Sequence, residues 1–143
     1  MKRELIQNTL LMPIASGSAI NRNGFLSGVI GAVVGTAGDL TLTVTHSDNG
    51  TDFVAVTDEY LFGVKYANEL SDTTGTVFDN SGSLLFTQDC GVLTLKGLSQ
   101  NDVVNVDLDL VGLKKFIKIT ASGTAATSTT LAIALGDGSV QPV

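Results

Sequence analysis

Apolar and polar residues alternate along most of this chain. In "DLTLTVTHS", Leu40, Leu42 and Val44 fall on one side, and Thr41, Thr43 and Thr45 on the other. Successive side chains of a strand point to opposite faces, so this pattern predicts a half-buried β-strand. "VVNVDLDL" repeats it with Val104, Val106, Leu108 and Leu110 against Asn105, Asp107 and Asp109. "KFIKITA" sets Ile117, Ile119 and Ala121 against Phe116, Lys118 and Thr120, and "TTLAIALG" sets Leu131, Ile133 and Leu135 against Thr130, Ala132 and Ala134. "GSLLFTQ" and "GVLTLKG" are shorter candidates. "LSGVIGAVVGT" is apolar almost throughout, which predicts a strand buried on both faces. Residues 60–70 are the one stretch with room for a helical turn or two, and Gly63 weakens it.

Clusters of Gly, Asn, Asp and Ser separate these runs, at "SGSAINRNG", "TAGD", "SDNGTD", "SDTTG", "DNSGS", "QDCG", "SQND" and "ASGTAATS". Short strands with turn signals every ~8–12 residues predict a sandwich or barrel. The prolines, Pro13 and Pro142, stand near the two ends, clear of the central strands. The expected fold is all-β: a single antiparallel β-sandwich, jelly-roll-like. Residues 1–14 form an N-terminal arm or edge strand and residues 15–143 the sandwich. The Asn49-Gly50 turn is expected to close a hairpin and fix "LTLTVTHS" against "DFVAVTD". A one-residue slip there exposes Leu40, Leu42 and Val44.

Composition narrows the function classes. At 143 residues the chain is one domain by length. Charged residues make up 15%, against ~25% in typical soluble domains. A β domain poor in charge and rich in Thr, Ser and Gly is expected to have part of its surface covered by partners. The net charge is −6 with only eight Lys and Arg. Nucleic-acid binding needs a basic footprint to neutralise phosphates, so that role is not expected. No run of ~18 apolar residues predicts a membrane helix. In "MKRELIQNTLLMPIA", Glu4, Gln7, Asn8 and Thr9 interrupt any signal-peptide core. Cys90 is the single cysteine, so no internal disulfide holds the fold.

The candidate chemistry is sparse. "HSDNGTDF" departs from the calcium-loop spacing: counting back from Gly50, Thr45, Ser47 and Asn49 stand at the alternate positions. It reads as a turn, with Asp48 and Asp52 as minor ion candidates. His46, the one histidine, is placed on the polar side of its strand and has no placed partner. Nothing basic lies near Cys90 in sequence to stabilise a thiolate. Asp107 and Asp109 share one strand face; they read as a solvated face paired across strands with "KKFIK" rather than as a glycosidase pair. The glycines at 28, 31, 35 and 38 read as packing glycines, because they miss the phosphate-cradling spacing. No enzyme, metal or cofactor is expected.

An ordered set of segments carries a resemblance. "LLMPIA", "NRNGFLSGVIGAVVGT", "LTLTVTHSDNGTDFVAV", "YLFG", "VDLDLVGLKKFIKITAS" and "STTLAIALG" follow one another from Leu10 to Gly136. Together they resemble small structural proteins of tailed bacteriophages, encoded among head and head-to-tail genes. The hairpin and the "KFIKI" strand are also similar to discoidin-type jelly rolls. Residues 64–90 depart from both patterns. The resemblance implies a virion structural protein, most concretely a decoration (cement) protein on the capsid surface. It would bind the major capsid protein and assemble in the host cytoplasm, as a homotrimer at local symmetry axes. The expected partner contacts are Lys2, Arg3, Leu5, Ile6, Leu10 and Leu11 in the arm, and Lys114, Lys115 and Lys118 in "KKFIK". The alternatives are a head-to-tail connector or tail component, and a jelly-roll carbohydrate-binding module using Asp48, Asn49 and Asp52. The module is disfavoured because Phe53, the one aromatic in that loop, is expected to look inward.

Overall fold

A computed structural model describes residues 10–59, 61–64, 76–78 and 84–138. Lys2, Arg3, Leu5 and Ile6 lie outside the described residues, as does most of the 60–70 stretch. Two sheets stack as an antiparallel β-sandwich. The strands are β1 (Leu10–Ile14), β2 (Ala19–Asn21), β3 (Phe25–Val33), β4 (Gly38–Ser47), β5 (Val54–Ala55), β6 (Phe62–Val64), β7 (Thr76–Phe78), β8 (Leu84–Asp89), β9 (Val92–Leu98), β10 (Val103–Asp109), β11 (Phe116–Ser122) and β12 (Thr130–Gly138). One sheet has the order β1-β12-β3-β10-β6, and the other β2-β11-β4-β9-β8-β7 with β5 beside β4. A 3-10 turn, Thr124–Ser128, joins β11 to β12.

The alternation builds the core. The inner rows are Leu40, Leu42 and Val44 on β4, Leu93 and Leu95 on β9, and Ile117 and Ile119 on β11. They meet Ile30 and Ala32 on β3, Val104, Val106 and Leu108 on β10, and Leu131, Ile133 and Leu135 on β12. Burying such side chains stabilises by roughly 1.5–3 kcal/mol each.

Strand β3 departs from its expectation. Its inner residues are buried, but Val29 and Val33 stand on the outer face, 37% and 47% exposed. Apolar composition on both sides of a strand does not require that this chain itself cover both.

The β4–β5 hairpin is also smaller than its sequence suggests. Only Thr45↔Ala55 and His46↔Val54 pair, because β9 takes the same edge of β4 from Gly38 to Thr43. The register of β4 is held instead by seven pairs to β11, from Ser47↔Phe116 to Thr41↔Ser122. Close backbone approaches fix the corner beside the 3-10 turn. A Cβ on Gly35 would collide with the Ser128 carbonyl, and one on Gly123 with the Asp39 carbonyl.

Candidate functional site

The Ser47–Asp52 loop satisfies itself. Ser47 is buried, and its Oγ accepts from the Asn49 and Gly50 N–H groups at 3.2 and 3.1 Å. The same hydroxyl donates to Asn49 Oδ1 at 2.8 Å. Asn49 Oδ1 also accepts from the Thr51 and Asp52 N–H groups at 2.8 and 2.9 Å, and Asn49 Nδ2 donates to Asp52 Oδ2 at 2.9 Å. Asp48 meets Lys114 Nζ at 2.8 Å. Among the described residues no group of three or more His, Cys, Asp and Glu is placed to hold a metal ion. Gly50 has positive φ (78°) and lies over the Phe116 ring; Asn49 is not among the positive-φ residues.

His46 belongs to the inner row, not with the threonines. It pairs with buried Ile117, and directly paired residues share a face. Its Nδ1 accepts the Lys114 N–H at 3.2 Å. Burial, then the Lys114 charge, lowers its pKa below the ordinary histidine value, against a smaller opposing effect of Asp48. Cys90 sits at the β8–β9 turn with φ 51°. Partial burial, then Asp89, Glu59 and Asp58, raise its thiol pKa. That opposes thiolate formation and nucleophilic chemistry.

The lysines of "KKFIK" part company. Lys114 holds Asp48, Lys115 lies 5.3 Å from the Phe116 ring centroid, and Lys118 lies 4.2 Å from that of Phe53. Lys118 alternates with buried Ile117 and Ile119, so it stands on the outer face of its sheet, and Phe53 stands there with it. Phe53 therefore looks outward, contrary to expectation, but a lysine occupies its ring face. Asp107 and Asp109 do not pair with this segment. β10 neighbours β3 and β6, while β11 lies in the other sheet. Asp109 Oδ1 accepts the Val111 N–H at 3.1 Å.

Sequence reasoning missed Arg22. Its guanidinium donates to the carbonyls of Leu113, Phe25 and Lys114 at 2.6, 2.8 and 2.9 Å. This ties the β2–β3 turn to the loop before β11. No spacing in "NRNG" signals it, since two of the three acceptors are backbone groups about 90 residues away.

The outer face of the five-stranded sheet is the most unusual surface. Strand pairing sets Leu11, Ala134, Val29 and Asp107 in one row, and Pro13, Ala132, Gly31 and Asn105 in the next. Thr130, Val33 and Val103 form a third. Leu11 is 75% exposed and Val103 67%. A shallow cavity of about 380 Å³ opens in the first row, lined by Ser27, Val29, Asp107, Ala134 and Gly136 among others. Leu10, by contrast, points inward and packs against the core with Met12 and Ile14. Of the two arm residues expected to meet a partner and described here, Leu11 is available and Leu10 is largely spent on folding.

No family model matches the chain, and no curated protein matches it. Among solved structures it is similar to the SPBc2 prophage-derived protein YomS, with a TM-score of 0.45 and 12% identity over 89% of this chain and 91% of that one. A likeness of that size carries no argument about function.

Proposed function

We propose that the chain is a virion structural protein of a tailed bacteriophage, a decoration protein that binds the major capsid protein lattice and stabilises the head. The observation that carries the reading is the ordered resemblance from Leu10 to Gly136. The surface is compatible with it. The strand β1 stands at a sheet edge, and the adjoining outer face is apolar. A protein that binds only the assembled shell stabilises that shell by linkage, copy by copy. Residues 1–9, the exposed Lys115 and the half-buried Lys118 are the contacts proposed for the shell.

The test is the copy number of this chain in purified particles, measured against the major shell protein. Hundreds of copies, near one per shell subunit or one per local axis, support decoration. A dozen or fewer move the chain to the connector or tail. Absence from particles overturns the virion reading. The carbohydrate-module reading gains nothing at Phe53, where Lys118 takes the ring face a sugar would stack on.

A further inference from the structure

His46 is the chain's single histidine, and it stands half-buried at the end of β4. Two bonds join that end to Lys114, in the loop before β11. The His46 Nδ1 accepts the Lys114 N–H at 3.2 Å, and the Asp48 carboxylate accepts from Lys114 Nζ at 2.8 Å. A ring nitrogen that accepts a backbone N–H carries no proton. This geometry therefore belongs to the neutral imidazole with its proton on Nε2. The paired strands β5 and β11 bring Val54 and Ile117 beside His46, and neither ionises. The charges that act on it are Lys114 across the bond and Asp48 two residues on. Arg22, from the β2–β3 turn, holds the Lys114 carbonyl at 2.9 Å. Lys115 and Lys118 are turned to the Phe116 and Phe53 rings.

We propose that His46 and Lys114 form an acid-released latch between the end of β4 and the loop before β11. A proton on Nδ1 turns the acceptor into a donor facing a donor, so the bond to the Lys114 N–H is lost. It also sets a second cation beside the Lys114 ammonium, and the two compete for the one Asp48 carboxylate. The second tie therefore weakens as the first breaks. Release stays local. Arg22 still donates to the carbonyls of Leu113 and Lys114, and its own N–H to that of Lys115 at 3.1 Å. Strand β4 keeps its pairing with β11 from Thr41 to Ser47. What lets go is the N–H and the side chain of Lys114. Burial and the Lys114 charge both disfavour the imidazolium, so release falls below the ordinary histidine value of about pH 6.5.

The latch holds or fails independently of the virion reading. The test is nuclear magnetic resonance of the isotope-labelled full chain, titrated from about pH 7.5 to about pH 5. At the upper end His46 is expected as the Nε2–H tautomer. On acidification the Lys114 amide resonance is expected to move with the same midpoint as the imidazole. Its protection against hydrogen exchange, corrected for the intrinsic rate at each pH, falls about threefold to tenfold, the worth of one hydrogen bond. In His46→Asn both readings stay flat across the range, and His46→Gln serves if that variant does not fold by circular dichroism. Asp48→Asn removes the one carboxylate that favours the imidazolium, and lowers the His46 midpoint. An Nδ1–H tautomer at neutral pH, an imidazole still neutral at the lower end, or a Lys114 amide indifferent to the titration overturns the proposal. So does the same amide shift in His46→Asn. Loss of the folded spectrum as a whole at the imidazole midpoint overturns it too, since the sandwich and not the latch then responds.

Discussion

Arg22 shows how much one side chain can hold when its partners are backbone. Removing it takes one donor from each of three part-buried carbonyls, and each such loss costs about 1–3 kcal/mol less whatever water recovers. Arg22→Ala is expected to lower the unfolding free energy by about 2 kcal/mol or more in urea titration. Arg22→Lys is expected to rescue little, because the three acceptors are served by three separate nitrogens of the guanidinium and an ammonium has one. Gly123 makes a second prediction. With φ 96° and ψ 172° it occupies a region essentially closed to other residues, at ~1–3 kcal/mol for a side chain, and a Cβ there also meets Asp39. Gly123→Ala is expected to destabilise more than Gly112→Ala, whose added Cβ meets nothing within 4 Å. His46 supplies a pH dependence. Its pKa is lower in the fold than in the unfolded chain, so protons favour unfolding. Its contribution is complete above about pH 6.5 and fades as pH falls through that value toward the folded pKa. The urea midpoint is expected to drop between pH 7 and pH 5, and to drop less in His46→Asn, which keeps an acceptor near the Lys114 N–H. His46 was expected among the threonines, although 46 continues the series 40, 42, 44 that turns inward. Its contact with the loop before β11 was not legible, because the two are 68 residues apart.

At the scale of elements, β4, β9, β10, β11 and β12 were legible because each buries one face and alternates accordingly. The strand β3 was legible as a strand and misread in its surroundings, because sequence reports that a face is apolar and not which molecule covers it. The hairpin at Asn49-Gly50 was legible as a turn, yet the competition of β9 for the same edge depends on the whole topology. The strand β1 separates two deletions that look alike on paper. Removing residues 1–9 leaves every described strand whole and is expected to leave the unfolding midpoint within error. Removing residues 1–14 strips Leu10, Met12 and Ile14 from the core and bares the edge of β12. That deletion is expected to cost several kcal/mol and to promote aggregation, read by light scattering. Only the shorter deletion reports on partner contacts.

At the scale of the whole molecule, two ion pairs of the described residues add little to stability. The ion pairs Lys96–Asp39 and Lys114–Asp48 stand at the surface, at 3.4 and 2.8 Å. Exposed pairs contribute about 0–1 kcal/mol, and salt screens them. Raising sodium chloride from about 0.05 to about 1 M is expected to change the unfolding free energy by less than ~1 kcal/mol, measured by urea titration at each salt. A core built on apolar rows explains why the fold class could be read from alternation alone. The function could not, because no described cluster of side chains concentrates chemistry at one point.

The order of the five-stranded sheet also governs when it can form. Strand β12 is the last described strand in the sequence, yet it lies between β1 and β3, joining Leu10 to Leu135 on one side and Ile30 to Ile133 on the other. A ribosome delivers β1 and β3 long before the strand that bridges them. Until β12 emerges, the apolar β3 has one side of its ladder empty and β1 has no mate at all. The nascent chain therefore holds an unfinished sheet until β12 is made. Closure across so long a loop is slow by its entropy, and refolding yield is expected to fall as the chain is made more concentrated.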